Sequence, residues 1–181
     1  MRNQRLGLGA PALVVCAAAL GCSSAQPEER VARAEQELVG DFLPTGNQVV
    51  MEVEHFAANV MQGAHSWTAE TDAAASGSQA LRATPDNGAA VDTGYTTGSP
   101  RLDFRVVFAQ TGTYQVWLRG RAAGSTVGAS DSVHAGLDGA AIASADRINS
   151  FTASFGWTKS TLDGVAATVS VTTTELHTVN V

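Results

Sequence analysis

The sequence predicts an all-β fold of many short strands. Three observations point there. Leu102, Phe104 and Val106 alternate with Asp103 and Arg105, giving one apolar and one polar face. After the turn Thr111-Gly112-Thr113 the alternation resumes, with Tyr114, Val116 and Leu118 on one side. Gln115, Trp117, Arg119 and Arg121 fall on the other. From Gln48 onward glycine, threonine, serine and alanine dominate, and no long helical periodicity survives. Many short strands separated by turn signals mean a sandwich or a barrel.

In chain order, Val49, Val50, Met51 and Val53 suggest an opening strand. The run from Leu102 to Gly139 reads as a β-hairpin, a polar loop over Gly124–Ser130 and a further strand. In that strand Val133, Ala135 and Leu137 alternate with Ser132 and His134, before the turn Asp138-Gly139. Phe155 to Lys159 suggests a short strand. Val165, Ala167, Val169 and Val171 alternate with small polar residues, and Leu176 to Val181 begins another strand. There is no internal repeat.

The first residues are read as a targeting segment. Arg2 and Arg5 precede an apolar run from Leu6 to Leu20, shorter than the ~20 residues that span a bilayer. Ala19-Leu20-Gly21-Cys22 resembles a bacterial lipoprotein signal, with residues 1–21 removed and Cys22 acylated. The alternative is an ordinary secretory signal cut after Ala25. The chain is therefore expected to be exported and lipid-anchored to the cell envelope, or else secreted. Residues 22–47 are read as a tether, in which Val31, Ala34 and Leu38 offer a short helix only a thin apolar stripe. Residues 48–181 form the domain. With Cys16 in the removed segment and Cys22 carrying lipid, that domain has no disulfide. Without Arg2 and Arg5, nine basic residues face 17 acidic ones, and Lys159 is the single lysine. Nucleic acid is a poor partner for that balance.

Six features in order carry a family resemblance. They are Met51-Glu52-Val53-Glu54-His55-Phe56, Trp67, the stretch Ser76 to Arg82, the stretch Gly112 to Ala122, the strand Asp131 to Gly139 with Trp157 after it, and the closing Leu176 to Val181. The pattern resembles carbohydrate-binding modules of the galactose-binding-like class, near families 6 and 35. It also resembles the related β-sandwich domain at the end of some large glycoside hydrolases. The resemblance implies a jelly-roll β-sandwich over about residues 48–181. Such domains usually continue into one more strand carrying an acidic residue, so the sequence is expected to be truncated, with an open sheet edge. The resemblance further implies that Glu52 and Glu54, on one face of the opening strand, help to hold a structural Ca²⁺. Calcium takes six to eight oxygens, and the late acidic ligand is missing here.

A pyranose has an apolar C–H face that stacks on an aromatic ring, and its hydroxyls need polar partners. Trp67 and Trp157 are the expected platforms, with Tyr95 in the loop DTGYTTGSP as a further lining residue. Core packing is the competing role for any tryptophan, and core or sheet-face packing is the expected role of Trp117. Asp131 and His134 could bond sugar hydroxyls. Arg119 and Arg121 share a face. They are expected to pair with Asp103 across the hairpin, or to receive the carboxylate of an acidic sugar. Ser132 beside His134 makes no triad, and no two carboxyls are placed for glycoside hydrolysis. His55, His65 and His177 are too scattered to argue a metal site. The expectation is a non-catalytic domain that binds a polysaccharide or glycan. The alternatives are a structural or adhesion module without a sugar site, and an accessory fragment of a glycoside hydrolase.

Overall fold

The computed structural model describes residues 42–88, 90–122 and 131–181. The expected signal, Cys22 and most of the tether lie outside them. Eleven strands are formed by the described residues: β1 (Ala58–Val60), β2 (Ser66–Thr71), β3 (Gln79–Thr84), β4 (Arg101–Val107), β5 (Gly112–Gln115), β6 (Leu118–Gly120), β7 (Gly136–Leu137), β8 (Ala140–Ala141), β9 (Gly156–Thr158), β10 (Thr168–Val171) and β11 (Leu176–Asn180). One layer is a five-stranded antiparallel sheet in the order β1-β4-β11-β7-β8. The other layer consists of three antiparallel pairs, β2–β3, β5–β10 and β6–β9. The fold is an all-β sandwich.

The apolar side of β4 is the floor of the core. Leu102, Phe104 and Val106 are buried, and Phe108 continues the same face just past the strand. They pack with Val179 of β11, with Val169 and Val171 of β10, and with half-buried Tyr114, Val116 and Leu118. Phe42 joins from the N-terminal side. Its N–H donates to the Arg105 carbonyl at 2.7 Å, and its ring lies 6.0 Å from Phe104. The chain thus enters the fold inside the span read as tether.

Two sequence expectations are corrected. β4 and β5 are not a hairpin, because β4 pairs with β1 and β11 while β5 pairs with β10. The two strands face each other across the core, and the rings of Phe108 and Tyr114 meet at 4.8 Å. Alternation gives the same pattern for strands side by side and strands face to face, so it could not separate them. The expected Arg119–Asp103 pair falls with the hairpin. Asp103 accepts from Arg101 at 2.6 and 3.0 Å and from Asn180 Nδ2 at 2.7 Å. The opening strand is the second correction. Val53–His55 is a 3-10 turn, and residues 49–52 carry no ladder. Val49, Met51 and Val53 still pack toward the core while Val50 stays exposed. The strand-like alternation is present, and a pairing partner is not among the described residues.

β11 is locked in place by polar groups at its start. Buried His177 places Nδ1 2.8 Å from Asp138 Oδ2, and Nε2 3.2 Å from the Thr173 carbonyl. The Asp138 hydrogen bond raises the His177 pKa above the ordinary histidine value, outweighing burial, which lowers it. Burial pushes Asp138 up, but the Thr178 N–H and His177 more than reverse this, and its pKa is lowered. A histidine that gains affinity for a proton on folding gives stability that is complete below its unfolded pKa and lost as pH rises through the folded one. Denaturant titrations from about pH 5 to about pH 9 should therefore show stability falling above about pH 6.5. His177→Gln should remove that decline relative to the parent and cost about 1–3 kcal/mol at low pH. The Asp138 contribution runs the other way and disappears as pH falls below about 3.9. A variant with the parent's alkaline slope would show that His177 does not carry it.

Candidate functional site

Strands β6 and β9 present the aromatic face of the molecule. Their register sets Leu118 opposite Thr158, Arg119 opposite Trp157 and Gly120 opposite Gly156. Leu118 and Thr158 turn inward, Thr158 being buried, so Arg119 and Trp157 turn out together. Trp157 is 62% exposed and Trp117, two residues before Arg119, is 49% exposed. Lys159 Nζ lies 4.8 Å from the Trp117 ring centroid and donates to Gln115 Oε1 at 2.8 Å. The Arg119 and Arg121 guanidinium carbons lie 5.3 and 5.4 Å from the Phe155 ring centroid. Arg119 donates to the Ala74 carbonyl and Arg121 pairs with Asp72, both at 3.0 Å. The loop after β2 thus anchors the two arginines beside the indoles.

The other expected sugar contacts lie elsewhere. Trp67, on β2, is partly buried against the core, and its Nε1 donates to the Pro100 carbonyl at 3.1 Å. That indole is packing, not an open platform. Tyr95, in the helical turn Tyr95–Gly98, stacks on His134 with centroids 3.8 Å apart and planes at 10°. Burial and the nearby Asp146 charge raise the Tyr95 pKa. Both His134 nitrogens are engaged, Nδ1 with Asp146 Oδ1 at 2.6 Å and Nε2 with the Val91 carbonyl at 3.1 Å. His134 therefore ties three loops together and offers no ring nitrogen to a hydroxyl. Its carboxylate partner is Asp146, not Asp131, which sits at a bend next to undescribed residues.

Trp117, expected to pack in the core or on the sheet face, lies half-exposed on the sheet face under Lys159. Its signal was present in the sequence, because alternation already grouped it with Gln115, Arg119 and Arg121 on the polar face. Lys159 and Phe155 were reachable only through the β6–β9 pairing, which joins segments almost forty residues apart.

Glu52 and Glu54 do not share a strand face, since Glu52 precedes and Glu54 lies within the 3-10 turn. Glu52 Oε1 accepts from Ser76 Oγ at 3.2 Å. Glu54 Oε2 is buried without a hydrogen-bond partner. An orphaned buried carboxylate oxygen is what a cation would satisfy. No cluster of three or more His, Cys, Asp or Glu residues suited to a metal occurs among the described residues, so the remaining oxygens would have to come from backbone, hydroxyls or water.

Residues 41–180 match the family model described as the glycosyl hydrolase family 115 C-terminal domain. No curated protein and no solved structure matches the chain.

The two tryptophan environments separate in a stability measurement. Trp157→Ala should change unfolding free energy by no more than about 0.5 kcal/mol. Trp67→Ala should cost about 3 kcal/mol through lost packing and an unpaired Pro100 carbonyl. Equal losses in urea titrations would mean that Trp157 is part of the core.

Proposed function

Because the chain belongs to the family of glycosyl hydrolase family 115 C-terminal domains, we propose that it is a non-catalytic carbohydrate-binding domain, the accessory partner of glycosidase chemistry and not its seat. The observation that carries this reading is Trp157, an indole exposed over most of its area on a sheet face beside Arg119. Such a ring stacks on the apolar face of a pyranose, and the flanking donors reach its hydroxyls. Trp117 extends the platform, with one ring face covered by Lys159. Asp72, the carboxylate beside these arginines, pairs with Arg121 at 3.0 Å. Arg119 and Lys159 leave the face net positive, which favours glycans bearing carboxylates over neutral ones. A jelly-roll connection and kinship with family 6 and 35 modules are part of this proposal, as is export as a lipoprotein through Cys22.

A calcium ion at Glu52 and Glu54 is the structural counterpart of the same reading. It would neutralise the buried Glu54 oxygen and hold the chain before β1 against the loop at Ser76.

A glycan array read with and without Ca²⁺ tests the binding. Trp157→Ala should weaken any hit at least about tenfold, or about 1.4 kcal/mol, with melting unchanged. Oligosaccharides carrying uronates should exceed their neutral counterparts and lose that advantage in high salt. No hit from a folded sample would favour a structural or adhesion module. For calcium, saturation to about a hundred times Kd should stabilise the chain by about 2.7 kcal/mol. Glu54→Gln should abolish that gain, and a gain that persists in it would place the ion elsewhere.

A further inference from the structure

The sequence holds three pairs in which asparagine or aspartate precedes glycine: Asn87-Gly88, Asp138-Gly139 and Asp163-Gly164. At such a pair the glycine nitrogen can attack the side-chain carbonyl carbon before it, because glycine has no Cβ to hinder the approach. Backbone conformation does not separate the three, since each glycine has positive φ, 76° at Gly88 and 77° at Gly139 and Gly164. Exposure does not separate them either. The Asp163 and Asp138 side chains are 69% and 52% exposed, and Asn87 is exposed too.

What differs is the attacking nitrogen. The Gly139 N–H donates to Asn180 Oδ1 at 2.8 Å, and the Gly164 N–H to the Thr161 carbonyl at 2.9 Å. The carbon under attack is restrained as well. The Asp138 carboxylate accepts from the Thr178 N–H and meets His177 Nδ1, both at 2.8 Å, and Asp163 faces Arg147 at 3.7 Å. Reaction at either pair must first break these bonds. The Gly88 N–H has no acceptor among the described residues. Asn87 also offers a neutral amide, where an ionised carboxylate repels a nucleophile. Its Oδ1 stands at the surface, 3.4 Å from His65 Nε2.

We propose that Asn87 is a site of spontaneous isoaspartate formation, selected by the fold from these three pairs. The Gly88 nitrogen bonds to Asn87 Cγ, and the side-chain nitrogen leaves as ammonia, carrying the proton that Gly88 loses. Water then opens the cyclic imide. Opening at Cγ gives aspartate, and opening at the main-chain carbonyl carbon gives isoaspartate. No oxidant, reductant or enzyme is required. Each event adds a carboxylate next to Asp86, which already pairs with Arg82 at 3.0 Å. The isoaspartyl form also adds an atom to the main chain ahead of Val91, whose carbonyl holds His134 Nε2 at 3.1 Å.

The test ages the full chain at mildly alkaline pH, folded and in guanidinium chloride. Peptide mass spectrometry reads amide-to-acid conversion at 87, and fragmentation separates isoaspartate from aspartate at 87, 138 and 163. At each pair the folded rate is divided by the unfolded rate, which removes the intrinsic difference between amide and carboxylate. The ratio should lie within about threefold of unity at 87 and below about a tenth at 138 and 163, where local opening must precede reaction. Asn87→Gln, whose longer side chain closes the ring far more slowly, should stop most of the ammonia release from the folded chain. A ratio at 87 as low as at the other pairs overturns the inference. So does a ratio near unity at 138 or 163, or ammonia release that Asn87→Gln leaves unchanged.

Discussion

The sandwich depends on the placement of β11 between β4 and β7. Its five residues pair with β4 from Leu176 opposite Val107 to Asn180 opposite Asp103, and its last two also pair with β7. The strand sets Val179 and buried His177 on the core face, where the His177 ring meets Phe108 edge-on at 5.7 Å, while Asn180, also buried, lies on the opposite face. Asn180 is the cross-tie. Its Nδ2 donates to Asp103 on β4, and its Oδ1 accepts from the Gly139 N–H in the turn after β7. Buried polar groups cost stability unless paired, so these bonds admit one register. A slip by one residue would bring Thr178 and Asn180 onto the core face.

That frame explains how the aromatic residues divide. The sheet built on β4 buries Phe104 and Phe108, and Trp67 closes over its β1 end through the Pro100 carbonyl. Across the core, β5 and β6 run as one alternating segment. Tyr114, Val116 and Leu118 point to β4, which obliges Trp117 and Arg119 to point away. β9 pairs there and adds Trp157 to the outer side. The exposed indoles are thus a consequence of strand parity, held beside cations by the loop after β2. The Tyr95–His134–Asp146 cluster uses polar side chains in a different way, tying loops together.

Much of this was legible from alternation. The inward faces of β4, β10 and β11 and the short strand at β9 follow from residues such as Leu102, Phe104, Val169 and Val179. The outward turn of Trp117 was encoded in the same parity, although a tryptophan's large apolar area left burial open as well. The site itself was only partly legible. Trp157 and Arg119 were recognisable as residue types, but their adjacency was not. Trp67 and His134 looked similar in sequence to free ligand contacts, and their partners, Pro100, Val91 and Asp146, lie 33, 43 and 12 residues away.

The sequence by itself determined the all-β class, the parity of strands such as β4, β5 and β10, and the acidic, disulfide-free character of the domain. These depend on local periodicity and composition, which need no knowledge of neighbours. Only the tertiary structure decided that β4 and β5 face each other and do not form a hairpin, that Glu52 and Glu54 leave the strand pattern, and that Arg119 stands beside Trp157. Each of these is a pairing between distant segments. A strand's alternation says which side faces the core and nothing about which strand it lies beside. The same reason leaves residues 49–53 strand-like in burial and unpaired in the fold, because a strand exists only where another supplies its hydrogen bonds.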